Sequence, residues 1–230
     1  MTAFAIVMAA LAGALVVVAA LAAAGYRYYK RLTRREAADF LTYNEYAAPD
    51  GTLFLGDSLT DFFPVNEYFT SAARLYNRGI AGDTTFDVLA RVRDAVSICP
   101  KKVFLQIGIN DLIYFPRRKA APAAVADRVA EIAAFFPEAE MHILSLYPIN
   151  RGKSLLGRFV CGRADNERVR AVNAELVRRA EQGGYRYIDV HARLADERGN
   201  LSADCTLEGL HLSARGYAVV AGALRPYIEA

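Results

Sequence analysis

The amino-acid sequence predicts an α/β fold, with a five-stranded, mostly parallel sheet covered on both faces by helices and an N-terminal transmembrane helix ahead of it. Three observations predict it. From residue 52 onward, short apolar runs of strand length alternate with longer segments of helical periodicity. Glycine or proline punctuates the ends of several of these runs. Ahead of them, residues 1–25 contain no charged side chain.

Composition sets the bounds. The chain has 230 residues, 54% hydrophobic and 23% charged, which excludes disordered and low-complexity classes. That length is one ordinary domain plus an appendage, and such a domain buries roughly 70% of its unfolded surface without a disulfide or metal staple. Three cysteines at wide spacing, Cys99, Cys161 and Cys205, argue against a disulfide framework and against a cysteine-rich zinc site.

The apolar run from Thr2 to Gly25 is 24 residues long. As a helix it extends roughly 36 Å, enough to cross a hydrocarbon core of about 30 Å. Tyr26, Tyr28 and Tyr29 follow where an interfacial aromatic belt would sit. A cleaved signal peptide is the competing reading, and "LAAAG" resembles a cleavage site. However, a positive n-region is missing and the apolar run exceeds the usual h-region. Arg27, Lys30, Arg31, Arg34 and Arg35 come next, unaccompanied by acid. By the positive-inside rule they hold the following domain on the cytoplasmic side. The net charge of +3, less these five cations, leaves −2 for residues 36–230, which lacks the footprint of a nucleic-acid binder. Residues 1–25 are thus read as the anchor, 26–50 as a basic juxtamembrane connector of helical character, and 51–230 as the domain proper, opened by the turn Pro49-Asp50-Gly51.

Strands are expected at Thr52–Leu55, Arg74–Asn77, Lys102–Ile107, Met141–Leu146 and Tyr185–Val190. Helices are expected at Thr85–Ile98 (Phe86, Leu89, Val92 and Val96 at helical spacing), Ala123–Phe136, Asp165–Gln182, ended by Gly183-Gly184, and Ser213–Ile228, with Ser213 as N-cap.

Ligands of parallel sheets bind outside the carboxyl ends of the strands, so the residues after each strand are the candidates. Ser58 in "LFLGDSLTD" sits at a strand-to-helix turn, where backbone N–H groups favour developing negative charge; alone, it reads equally as an N-cap. Thr60 stands where a Gly-x-Ser-x-Gly elbow would need its second glycine. "NRGIAGDTT" offers Gly79 and Gly82, through which a backbone N–H approaches a substrate closely. Asn110 in "QIGINDL" could donate its amide to an oxyanion, and Asp111 reads alternatively as a cap. Of three histidines, His142 lies within a strand and His191 is adequately explained at the surface. His211 lies in a loop before the last helix, three residues after Glu208, and is the candidate base. Arg151, Lys153 and Arg158 could meet an anionic group or merely solvate a loop.

Together and in order, four blocks resemble the SGNH or GDSL hydrolase family. They are Gly56-Asp57-Ser58-Leu59, Gly79-Ile80-Ala81-Gly82-Asp83, Gly108-Ile109-Asn110-Asp111 and Glu208-Gly209-Leu210-His211. The resemblance covers residues 52–228. It implies a flavodoxin-like three-layer α/β/α sandwich and a serine esterase that needs no metal or other cofactor. It implies Ser58 as nucleophile, His211 as general base, and the Ser58 N–H, the Gly82 N–H and the Asn110 side chain as the oxyanion hole. The family's last block normally reads Asp-x-x-His; here Glu208 takes the Asp position, so its longer side chain must reach the imidazole differently. The membrane anchor makes a lipid or lysophospholipid ester one candidate substrate, and a short acyl group on a carbohydrate is equally compatible with the resemblance. An acyltransferase and a catalytically silent binding module are the alternatives.

Overall fold

The computed structural model describes residues 3–70, 74–116 and 118–229. Met1 and Thr2, where the apolar run begins, lie outside the described residues, as do the side chains of Tyr26 and Lys30. The chain forms two compact units, Met1–Phe40 and Leu41–Ala230. The first consists of helix α1 (Ala3–Glu45), whose last turn belongs to the second unit. α1 is long and apolar enough to cross a membrane, and it leaves Phe4, Leu15, Val16 and Leu21 exposed. The connector expected after the apolar run continues the same helix. Ala, Leu, Arg, Lys and Glu are good helix formers, and proline first occurs at Pro49.

In the second unit the order is β1 (Thr52–Gly56), α2 (Ser58–Asp61), α3 (Val65–Tyr68), β2 (Leu75–Gly79), α4 (Thr85–Val96), β3 (Lys102–Gln106), α5 (Ile109–Tyr114), α6 (Pro122–Ala133), β4 (Glu140–Leu144), α7 (Leu155–Val160), α8 (Asn166–Gly183), β5 (Arg186–Ile188), α9 (His191–Leu194) and α10 (Ala214–Ile228). All five strands pair in parallel, in the order β2-β1-β3-β4-β5. The mostly apolar sequences of the three central strands β1, β3 and β4 suit a sheet buried on both faces: Leu53, Leu55, Val103, Leu105 and Ile143 have at most 1% of their surface exposed. This is the α/β/α sandwich that the sequence predicts.

Register positions the site. Gly56 stands opposite both Gly79 and Gln106, so the carboxyl ends of β1, β2 and β3 finish level. The chain runs from β1 outward to β2 and then returns to β3 on the other side of β1. The crevice at such a reversal is where ligands of open α/β sheets bind.

The four long helices fall where the periodicity puts them, with one adjustment. In α4 the buried stripe is Thr85, Val88, Val92 and Ala95, while Phe86 is exposed. The helix is turned by one residue from the expected stripe because a capping box, Thr84 with Asp87, and a buried acceptor fix its first turn. That acceptor is Asp111, whose carboxylate takes the Thr85 N–H at 2.9 Å and the Thr85 hydroxyl at 2.6 Å and pairs with Arg128 at 3.0 Å. Asp111 is a cap, as one reading had it, but for α4 rather than its own helix. α2, α3, α5, α7 and α9 span four to six residues each, too short to show a period in sequence.

His142 is fully buried within β4, its ring stacked 4.5 Å from that of Phe104. His191 is half-buried at the start of α9, its Nε2 without solvent contact, so it is less superficial than the sequence implies.

Candidate active site

Ser58 opens α2 immediately after β1. The cap of that short helix is Asp57, whose carboxylate accepts the Leu59 N–H at 2.9 Å, so the Ser58 hydroxyl is not needed as a cap. Its Oγ lies 3.1 Å from His211 Nε2, across 153 positions of sequence. His211 Nδ1 lies 2.6 Å from Glu208 Oε1. An ionised carboxylate only accepts hydrogen bonds, so Nδ1 carries the ring hydrogen and Nε2 presents its lone pair to the serine hydroxyl. The three residues singled out in sequence therefore meet in one hydrogen-bonded line from Ser58 through His211 to Glu208.

The departure from Asp is accommodated by the turn. Glu208 Oε1 also accepts the His211 backbone N–H at 3.0 Å, so the longer side chain folds back over its own loop and holds main chain and imidazole with one oxygen. The Thr206 hydroxyl donates to His211 O at 2.8 Å and accepts the Gly209 N–H at 2.8 Å, closing the loop. Gly209 adopts φ +120°, and a Cβ there would sit 2.1 Å from Asn150 O, so only glycine fits. Phe62, at the end of α2, lies with its ring centroid 5.4 Å from that of His211 and shields the imidazole while remaining about half exposed.

The other candidates lie on the loops after β2 and β3. Gly82 occupies a half-buried turn at φ +81°. Gly79 packs against α2 so closely that a Cβ would come within 2.1 Å of Asp61 N. Asn110 is buried in α5 and donates one amide hydrogen to Asp83 O at 2.9 Å, which sets it against the Gly82–Asp83 turn. Sequence reasoning missed the side chain that ties these loops together. Arg91 pairs with the Asp83 carboxylate at 2.8 Å and donates to Gly56 O at 3.1 Å, fastening the β2 loop to the residue two before Ser58. Its signal was a cation three residues beyond Val88, on the buried side of α4. Arg151 and Lys153, open as anion binders in sequence, donate instead to the carbonyls of Gly162, Ala164 and Ala203 and brace loops.

Asp57 carries the strongest electrostatic signature beside the serine. It is fully buried, and Oδ2 has no hydrogen-bond partner among the described residues. Burial pushes its carboxyl up to about 8; the Leu59 N–H pulls it down, and the charges of Asp83, Asp111 and Asp61 push it further up. Between pH 5 and 8 an unfolded Asp57 has lost its proton while the folded one keeps it, so the wild type loses stability as pH rises through that window. Asp57→Asn keeps an oxygen for Leu59 and cannot ionise. It is expected to gain on wild type by roughly 4 kcal/mol between pH 5 and pH 8, at about 1.4 kcal/mol per unit. Denaturant midpoints at the two pH values measure this, and a difference that does not change with pH refutes a neutral Asp57.

Comparison with known proteins bears on the fold and the family. Solved structures share the fold. One, from Streptococcus pneumonia, has TM-score 0.79 and 23% identity, covering 91% of this chain and 99% of its own. A GDSL-like lipase from Bacteroides thetaiotaomicron has TM-score 0.70 and 18% identity, covering 84% and 97%. A mutant of an acetyl-xylooligosaccharide esterase from Geobacillus Stearmophilus has TM-score 0.60 and 21% identity, covering 78% and 94%. A search of curated proteins returns no match. The family model of GDSL-like lipases and acylhydrolases matches residues 54–219, which is more than half of the sequence, and the chain therefore belongs to the GDSL-like lipase/acylhydrolase family.

Proposed function

We propose that this chain is a membrane-anchored serine esterase that cleaves carboxylic esters through an acyl-enzyme. The observation that carries the proposal is the continuous line Ser58 Oγ–His211 Nε2–Glu208, at 3.1 and 2.6 Å. His211 Nε2 takes the hydroxyl proton as Ser58 Oγ attacks the ester carbonyl; Glu208 stabilises the imidazolium that forms. The imidazolium then protonates the leaving alcohol. Water, activated by the same nitrogen, releases the acid and restores Ser58. Charge on the carbonyl oxygen is met by the N–H groups of Ser58 and Gly82 and by the amide hydrogen of Asn110 that Asp83 does not take.

In this reading the substrate is a short acyl, acetyl-carbohydrate or lysophospholipid ester, and membership of an acylhydrolase family supports an ester. The fold shared with an acetyl-xylooligosaccharide esterase keeps the carbohydrate option in view. In this reading residues 1–25 anchor the chain, 26–50 connect and 51–230 hydrolyse, with the hydrolase held cytoplasmic by the cations after the span.

A serine-directed fluorophosphonate tests the proposal. Wild type is expected to be labelled on Ser58; a chain that reacts nowhere, or equally well as Ser58→Ala, is not a serine esterase of this kind. Asn110→Ala is expected to lower kcat by about 10²–10³, the usual effect of losing one oxyanion donor. An unchanged kcat removes Asn110 from the hole.

A further inference from the structure

We propose that the exposed apolar face of α7 is a docking surface for an anionic phospholipid bilayer. α7 buries Gly157 and leaves Leu155, Leu156 and Phe159 exposed by 79, 59 and 82%. Phe159 stands three residues after Leu156 and four after Leu155, so the three side chains fall within one arc about 100° wide. Scattered apolar residues are ordinary on a protein surface, but three on one face of a six-residue helix are not explained by solubility. Leu207, 67% exposed, is next to Glu208 on the loop against which α7 packs.

Charge identifies the occupant. Residues 151–164 hold Arg151, Lys153, Arg158 and Arg163 and no acid, against a net −2 for residues 36–230. Arg158, within α7 next to Phe159, and Arg163, three residues past its end, are both exposed. An apolar face with a cationic border suits a surface of acyl chains and anionic headgroups. The same polypeptide carries in α1 a helix long and apolar enough to enter that bilayer.

The face is also built onto the candidate site. Ser154 caps α7 by accepting the Gly157 N–H at 2.9 Å, and its hydroxyl donates to Glu208 O at 3.2 Å. A Cβ on Gly157 would fall 2.2 Å from that same carbonyl, so α7 sits directly on the loop of Glu208 and His211. Docking there would present esters from the bilayer to Ser58. That consequence rests on the esterase reading, whereas the docking itself does not.

The chain contains no tryptophan, so a single one reports on the face. The full chain with Phe159→Trp is reconstituted in phosphatidylcholine vesicles with or without phosphatidylglycerol, with bromine on the acyl chains. Blue-shifted emission, quenched by bromine and stronger with phosphatidylglycerol, is expected. Arg158→Glu with Arg163→Glu is expected to lower the docked-to-undocked ratio by about 30-fold, near 1 kcal/mol for each cation lost. Leu155→Trp repeats the measurement should Phe159→Trp disturb folding. Chains that float with vesicles but show no quenching overturn the proposal, while leaving the anchor and the esterase standing. Flotation confined to phosphatidylglycerol vesicles, with quenching, supports docking and overturns the anchor. A blue shift in detergent that grows with protein concentration, without lipid quenching, assigns the face to a second copy of the chain and overturns the proposal.

Discussion

Ser58→Ala is expected to lower turnover of p-nitrophenyl acetate by about 10⁴–10⁶-fold, the range seen when a hydrolase loses its nucleophile. The structure makes this a clean substitution. The cap of α2 is Asp57, and the serine hydroxyl meets His211, so alanine removes the reactive oxygen without removing a cap. Alanine is also the best helix former, and a shift in stability beyond about 1 kcal/mol is not expected. Adding His211→Ala is expected to cost little more, because residues that act as a unit are not additive. Turnover near the wild-type rate in Ser58→Ala, with an unchanged melting temperature, would remove Ser58 from the chemistry.

Glu208→Gln is expected to lower kcat by about 10³–10⁴, as when the orienting carboxylate of a Ser–His–Asp site becomes an amide. Glu208 Oε1 accepts from both the His211 ring and the His211 main chain. If the glutamine oxygen keeps the main-chain bond, its NH₂ turns toward Nδ1 and the ring hydrogen moves to Nε2, facing Ser58, where a base needs a lone pair. The loss should fall on kcat rather than KM, since Glu208 moves a proton donor and touches no ester. A rate equal to wild type would mean that Glu208 closes the turn and nothing more.

Much of this molecule can be read from its residues. The apolar runs ending at Gly56 and Gly108 mark strands because a sheet covered on both faces needs apolar side chains in succession. Val169, Val172 and Leu176 place α8 for the matching helical reason. Ser58 and Asn110 are legible because strand ends are where parallel sheets gather their ligands, and Glu208 and His211 because they stand three apart in a loop before the last helix. What was not legible is what depends on partners distant in sequence. Asp111 reads as a local cap until Thr85 and Arg128 arrive from other helices. Arg91 reads as a solvated charge until folding sets it between Gly56 O and Asp83. Phe86, a fair apolar position by spacing, turned outward because a buried carboxylate fixed the rotation of its helix.

The Glu208 carboxylate ties two properties to a single atom. The oxygen that holds the His211 amide in its turn also selects which ring nitrogen keeps its hydrogen. Fraying of that corner would misdirect the base while sheet and helices stay intact. On warming, activity is therefore expected to be lost before the sheet and helices melt, because the corner from Thr206 to His211 opens at less cost than the hydrophobic interior.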